Sequence, residues 1–142
     1  MTGPSRWRGT GDTLLAIAAG GALGGSARYA LLLLVPHTGA GFPWATFSAN
    51  VTGSFAMGVL AVLVSRAVRP HRLVRPFLGV GVLGGFTTFS TYAVDTLGLV
   101  GAGTAGTALV YLAATLVGAL AAVWAGAALA RALTDRSWGA RA

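Results

Sequence analysis

The sequence predicts an all-α integral membrane protein built from four transmembrane helices. Three observations carry that prediction. The chain is 55% apolar and only 9% charged over 142 residues, where a soluble domain holds about 25% charged residues to keep its surface in water. Four apolar stretches each reach the length of about 20 helical residues that a bilayer core demands. Between them, arginine is concentrated in alternate connections, as the topology of a multi-span protein requires.

The first stretch runs over 13–35, the second over 44–65, the third over 74–100 and the fourth over 104–133, together one domain spanning 1–142. The breaks between them are short: Pro36-His37-Thr38-Gly39, the segment from Arg66 to Arg72, and Gly101-Ala102-Gly103. Connections this brief have no room to fold alone, so consecutive spans pack as antiparallel neighbours. Arg6 and Arg8 precede the first span and small residues follow it, as in a secretory signal. Arg28 and Tyr29 at its far end and three further spans argue for a retained helix instead.

The net charge of +7 comes from ten arginines and no lysine. Arg6, Arg8, Arg66, Arg69, Arg72, Arg75, Arg131, Arg136 and Arg141 all fall on one side of a four-span topology, and the two opposite loops hold no Lys or Arg. The positive-inside rule then places both termini in the cytoplasm of a multi-pass protein of the cell membrane. A nucleic-acid partner is not expected, because such binding needs a soluble basic face. With no cysteine, disulfides, thiolate metal sites and thiol nucleophiles are excluded.

Packing signals come from glycine. Gly20, Gly21, Gly24 and Gly25 form two overlapping small-xxx-small pairs in the first span, and Gly81 and Gly85 repeat the spacing in the third. In lipid, such residues let helix backbones approach closely.

Polar residues at membrane depth are the functional candidates. Thr46, Asn50, Gly53 and Ser54 share one face of the second span. An unpaired amide at the depth of Asn50 costs several kcal/mol, so it must meet a neighbouring helix, water or a ligand. The third span contains Gly84-Gly85-Phe86-Thr87-Thr88-Phe89-Ser90-Thr91-Tyr92, whose glycine pair and run of hydroxyl and β-branched residues make a poor continuous helix. The expectation is a break near mid-membrane, tolerated where protein buries it or water reaches it. Its freed carbonyls suit a cation and its half-helix N-terminus an anion. Tyr111 and Thr115 lie one turn apart in the fourth span. Arg28 needs a partner or a route to the interface, and Asp95 is one of three acids in the chain; the sequence leaves open whether the two meet.

The strings GGALGGSARY (Gly20 to Tyr29), ATFSANVTGSFAMG (Ala45 to Gly58) and GGFTTFSTYAVD (Gly84 to Asp95) resemble the CrcB/Fluc fluoride channel family, in order and with fitting spacing across all four spans. The resemblance implies an antiparallel dimer with two fluoride pathways and a central structural sodium ion. It implies further that Asn50 is the pore asparagine and Phe89 the first ring of a phenylalanine box. Tyr92 stands where the second phenylalanine is usual, keeping the ring and adding a hydroxyl. Gly84 and Thr87 match the positions whose carbonyls hold sodium, Tyr111 and Thr115 look like the start of a hydroxyl track, and Arg28 and Asp95 match charged positions of the pattern.

Residue chemistry agrees with that expectation. Fluoride is small and strongly hydrated, so a selective pore must replace its water with hydrogen-bond donors. Asn50 offers an amide, and Thr46, Ser54, Thr115 and Tyr92 offer hydroxyls. Aromatic edges carry partial positive charge. The expected partners are therefore fluoride, lipid and a second, antiparallel subunit. The arginine bias points to insertion in one orientation, hence to an oppositely oriented paralogue as that subunit. A four-span proton-coupled multidrug exporter is the competing reading, but it needs a central membrane carboxylate in its first span, and Asp12, Asp95 and Asp135 supply none there. A non-transporting assembly subunit would explain the glycines but not the Asn50 face. An enzyme is not expected, since His37 and His71 fall in loops and no acid/base pair is evident.

Overall fold

The computed structural model describes residues 8–37, 39–67 and 70–139. Arg6, Thr38, Arg69 and Arg141 lie outside the described residues. Within them, the fold is all-helical: α1 (Arg8–Leu34), α2 (Trp44–Arg66), α3 (a π-helical stretch, Arg75–Leu83, continued by an α-helical turn, Gly84–Phe86), α4 (Phe89–Gly101) and α5 (Ala105–Gly139). Four segments are long and apolar enough to cross a membrane: Thr10–Leu34, Trp44–Arg66, Arg75–Gly101 and Ala105–Asp135. They match the four apolar stretches of the sequence, so the protein is a multi-pass membrane protein. The outer helices run past those stretches, α1 starting at Arg8 and α5 ending at Gly139. Hydropathy marks where a helix enters lipid, whereas a helix satisfies its own backbone in water as well and continues into the arginine-bearing ends.

Large apolar side chains cover the outside, among them Leu15 at 71%, Leu97 at 71% and Trp124 at 70% exposure. Apolar surface on this scale is compatible with lipid, not with water.

The helices pair two by two, α1 on α3 and α2 on α5. The first pair is made by the glycines the sequence singles out. A Cβ on Gly24 would run into the Val82 carbonyl, one on Gly81 would approach Ile17 O to 2.8 Å, and one on Gly85 would approach Gly21 O to 2.6 Å. The second pair uses glycines that form no such run. Gly58 lies against the Val123 carbonyl and Gly126 against the Phe55 carbonyl. Close approach matters because apolar side chains gain nothing by leaving lipid, so dispersion between backbones must hold the helices together.

At the end away from the chain termini, Phe42, Phe47 and Tyr111 form an aromatic cluster, with Phe42 edge-on to Tyr111 at 5.3 Å between centroids. It packs on Leu99 and Ala108, closing α4 onto α5 across a turn whose Gly103 has φ 76°. At the opposite end two ion pairs tie helix ends together: Arg66 to Asp135 at 2.5 Å, and Arg72 to Asp12.

Between α3 and α4, two residues leave helical geometry. Thr87 has ψ 157°, and Thr88 has φ −152° and ψ 128°. Thr88 also caps α4, its Oγ1 accepting from the Thr91 N–H at 3.1 Å. An N-cap threonine of this kind satisfies one of the free N–H groups that every helix start exposes.

Candidate functional site

Asn50 reaches from α2 to this extended junction and grips it from both sides. Its Nδ2 donates to the Thr88 carbonyl at 3.0 Å, and its Oδ1 accepts from the Thr88 N–H at 2.8 Å. Because a backbone N–H can only donate, the amide orientation is settled by chemistry. The pairing answers the cost of burying an amide at this depth, and it leaves one of the two Nδ2 hydrogens uncommitted. Gly53, one turn on, admits Thr87, whose Cγ2 occupies the space a Cβ would need.

A groove of about 470 Å³ opens beside this junction, lined by Asn50, Ser54, Gly84, Thr87, Phe89, Tyr92 and Thr115 among others. The Phe89 ring is 80% exposed and sits 5.8 Å from the Tyr92 ring at 51°. The Tyr92 hydroxyl donates to the Leu112 carbonyl on α5 at 3.0 Å, so its proton is already used and does not point at an ion. Thr115 differs. It is only 5% exposed, and its Oγ1 is buried with no hydrogen-bond partner. Threonine in a helix ordinarily returns its proton to the preceding turn, and an orphaned buried hydroxyl costs about 1–3 kcal/mol. Thr115 also lines the groove, and an orphan of this kind calls for an explanation.

The site residues named from sequence separate into two groups. Asn50, Ser54, Gly84, Thr87, Phe89, Tyr92 and Thr115 share the groove. Thr46 and Tyr111 lie one turn further along the same helix faces and turn to Asp95 instead. Thr46 Oγ1 donates to Asp95 Oδ2 at 2.6 Å, and Tyr111 OH donates to the same oxygen at 3.3 Å. Both donors are almost wholly buried, so this carboxylate is held by hydroxyls rather than by a cation. Arg28 does not meet Asp95; its Nη1 donates weakly to Thr91 Oγ1 at 3.4 Å. Sequence reasoning gave no role to Thr88 and Thr91, which bind Asn50 and Arg28. Their place in the hydroxyl-rich run was the one available signal.

The junction also frees carbonyl oxygens. The N–H four residues beyond Gly84 belongs to Thr88 and goes to Asn50; that four beyond Thr87 belongs to Thr91 and goes to Thr88 Oγ1. The Gly84 and Thr87 carbonyls therefore lose their usual helical donors. Carbonyls outside the helical ladder are the donor chemistry a hard cation takes.

Residues 15–127 match the family model described as CrcB-like protein, Camphor Resistance (CrcB). The chain belongs to the CrcB-like family. The CrcB-like match covers α2, α3 and α4 whole and most of α1 and α5. Among relatives, the chain is similar to the protein named fluoride-specific ion channel FluC 2 of Streptomyces avermitilis, 56% identical over 112 residues, covering 79% of this chain and 71% of that one. It is similar to fluoride-specific ion channel FluC 1 of Streptomyces coelicolor, 51% identical over 130 residues, covering 90% and 84%. It is also 50% identical over 119 residues to fluoride-specific ion channel FluC of Rhodospirillum centenum, covering 83% and 94%.

Proposed function

We propose that this CrcB-like chain is a subunit of a fluoride-selective channel that lets cytoplasmic fluoride leave passively. Neutral hydrogen fluoride crosses lipid and dissociates inside, so a pore for the anion is enough to relieve toxicity. The observation that carries the reading is the Asn50 amide, which keeps one Nδ2 hydrogen uncommitted beside its bond to Thr88 in a groove that Thr115, with its unpartnered hydroxyl, also lines. Together with Ser54 and the exposed Phe89 ring, these groups can replace the water of a small anion without a cationic side chain that would retain it. The relatives' printed names agree.

The groove lies open along one side, and the Gly84 and Thr87 carbonyls offer two oxygens where a hard cation takes about six. Both facts support a second subunit that closes the pathway and completes a structural sodium site. An antiparallel partner would bring equivalent groups to the same depth. The one-sided arginines support a single orientation for this chain, both termini cytoplasmic, and an oppositely oriented paralogue as partner. A conducting antiparallel dimer formed by the purified chain alone would overturn the need for that paralogue.

The test of function is fluoride efflux from proteoliposomes, with and without the partner. Asn50→Asp keeps an acceptor for the Thr88 N–H but sets a second oxygen against the Thr88 carbonyl and adds a negative charge to the pathway. Efflux should stop. Undiminished efflux would refute the assignment.

A further inference from the structure

Resting on that reading, we infer that Arg75 gathers fluoride at the mouth of the pathway. The chain holds three acids, and each is engaged. Asp12 pairs with Arg72, Asp135 pairs with Arg66, and Asp95 accepts from Thr46 and Tyr111. Among the described residues no carboxylate is left for Arg75, the first residue of α3. Arg75 lines a second groove, of about 430 Å³, which runs from Met57 to Ser65 along α2 and is walled across from it by Gly79 and Val80.

The two grooves lie end to end along α2, and we take them as one furrow. Met57 borders both, and Asn50, Ser54, Met57, Ala61 and Val64 fall on one stripe of α2 at helical spacing. The furrow runs from the arginine-rich end toward Asn50 and Thr115, a path of roughly 20 Å at 1.5 Å per residue. Its walls beyond Met57 are mostly apolar, so little else competes with the guanidinium for an arriving anion. Arg66 and Arg72, beside it in sequence, are paired with carboxylates, whereas Arg75 is an exposed cation with no such partner among the described residues. A charge so placed raises the anion concentration at the mouth while the constriction further in stays free of cations, and rapid passage needs both.

Arg75→Gln, Arg75→Lys and Arg131→Gln would be compared with the native chain in fluoride efflux, the partner subunit included where flux requires it. Arg131 is also exposed and without a carboxylate, yet lines neither groove. At about 10 mM ionic strength, where the screening length is about 30 Å, Arg75→Gln should lower flux at sub-saturating fluoride about 2- to 4-fold. Near 1 M, where that length is about 3 Å, the deficit should vanish. Arg75→Lys and Arg131→Gln should keep native flux at both. Native flux in Arg75→Gln at low salt overturns the inference, as does a deficit that persists at high salt or that appears only in vesicles containing anionic lipid. If the native chain carries no fluoride with its partner present, it is the channel reading that fails.

Discussion

Thr115→Val separates a ligand-binding hydroxyl from a structural one. Valine keeps the β-branched shape of threonine, so packing against α2 should be little disturbed. The substitution removes a buried hydroxyl that bonds to nothing in the protein. Relieving that burial should leave the fold as stable or raise its stability by about 1–3 kcal/mol. The pathway loses a donor to an anion, an interaction of about 1.5–3 kcal/mol, which corresponds to a fall in flux of about 10- to 150-fold at 1.4 kcal/mol per decade. Thermal unfolding in detergent and fluoride-electrode efflux from proteoliposomes read the two effects separately, and Thr115→Ser, which retains the donor, should keep most of the flux. Lower stability with unchanged flux would show that Thr115 is a packing residue and would remove it from the anion site.

Gly24→Val places a side chain against the Val82 carbonyl, where even a Cβ does not fit. The α1–α3 pair should be destabilised by at least about 1–3 kcal/mol, seen as lost monodisperse protein on gel filtration, while Gly11→Val, with open space around it, should behave as native. Tyr92→Phe removes the bond to the Leu112 carbonyl and keeps the ring. Unfolding should ease by about 0.5–1.5 kcal/mol with flux retained, because the lost proton was not directed at the ion; abolished flux would show that the hydroxyl itself serves permeation.

Asn50 shows how much of the site was legible and where legibility ended. An amide amid apolar residues announces that it needs partners, and helical spacing ties Thr46, Gly53 and Ser54 to its face. Spacing could not say that Asn50 grips Thr88 while Thr46, one turn away, serves Asp95. That difference depends on which residue of another helix stands opposite each turn, a matter of helix register and crossing angle rather than of period. Tyr92 makes the same point: its hydroxyl was a candidate donor until the carbonyl of Leu112 was found 3.0 Å away. Arg28 and Asp95, opposite charges that invite pairing, find separate hydroxyl partners.

By itself the sequence determined the four apolar helices, the arginine-rich end and the glycines of the α1–α3 pair, because hydropathy and small-residue spacing act locally along the chain. Only the tertiary structure decided the rest. It joined Asn50 to Thr88, left the Thr115 hydroxyl without a partner and set two grooves end to end along α2. The reason is physical: a hydrogen bond has a reach of about 3 Å, and which groups come within that reach is set by how helices distant in sequence lie against one another.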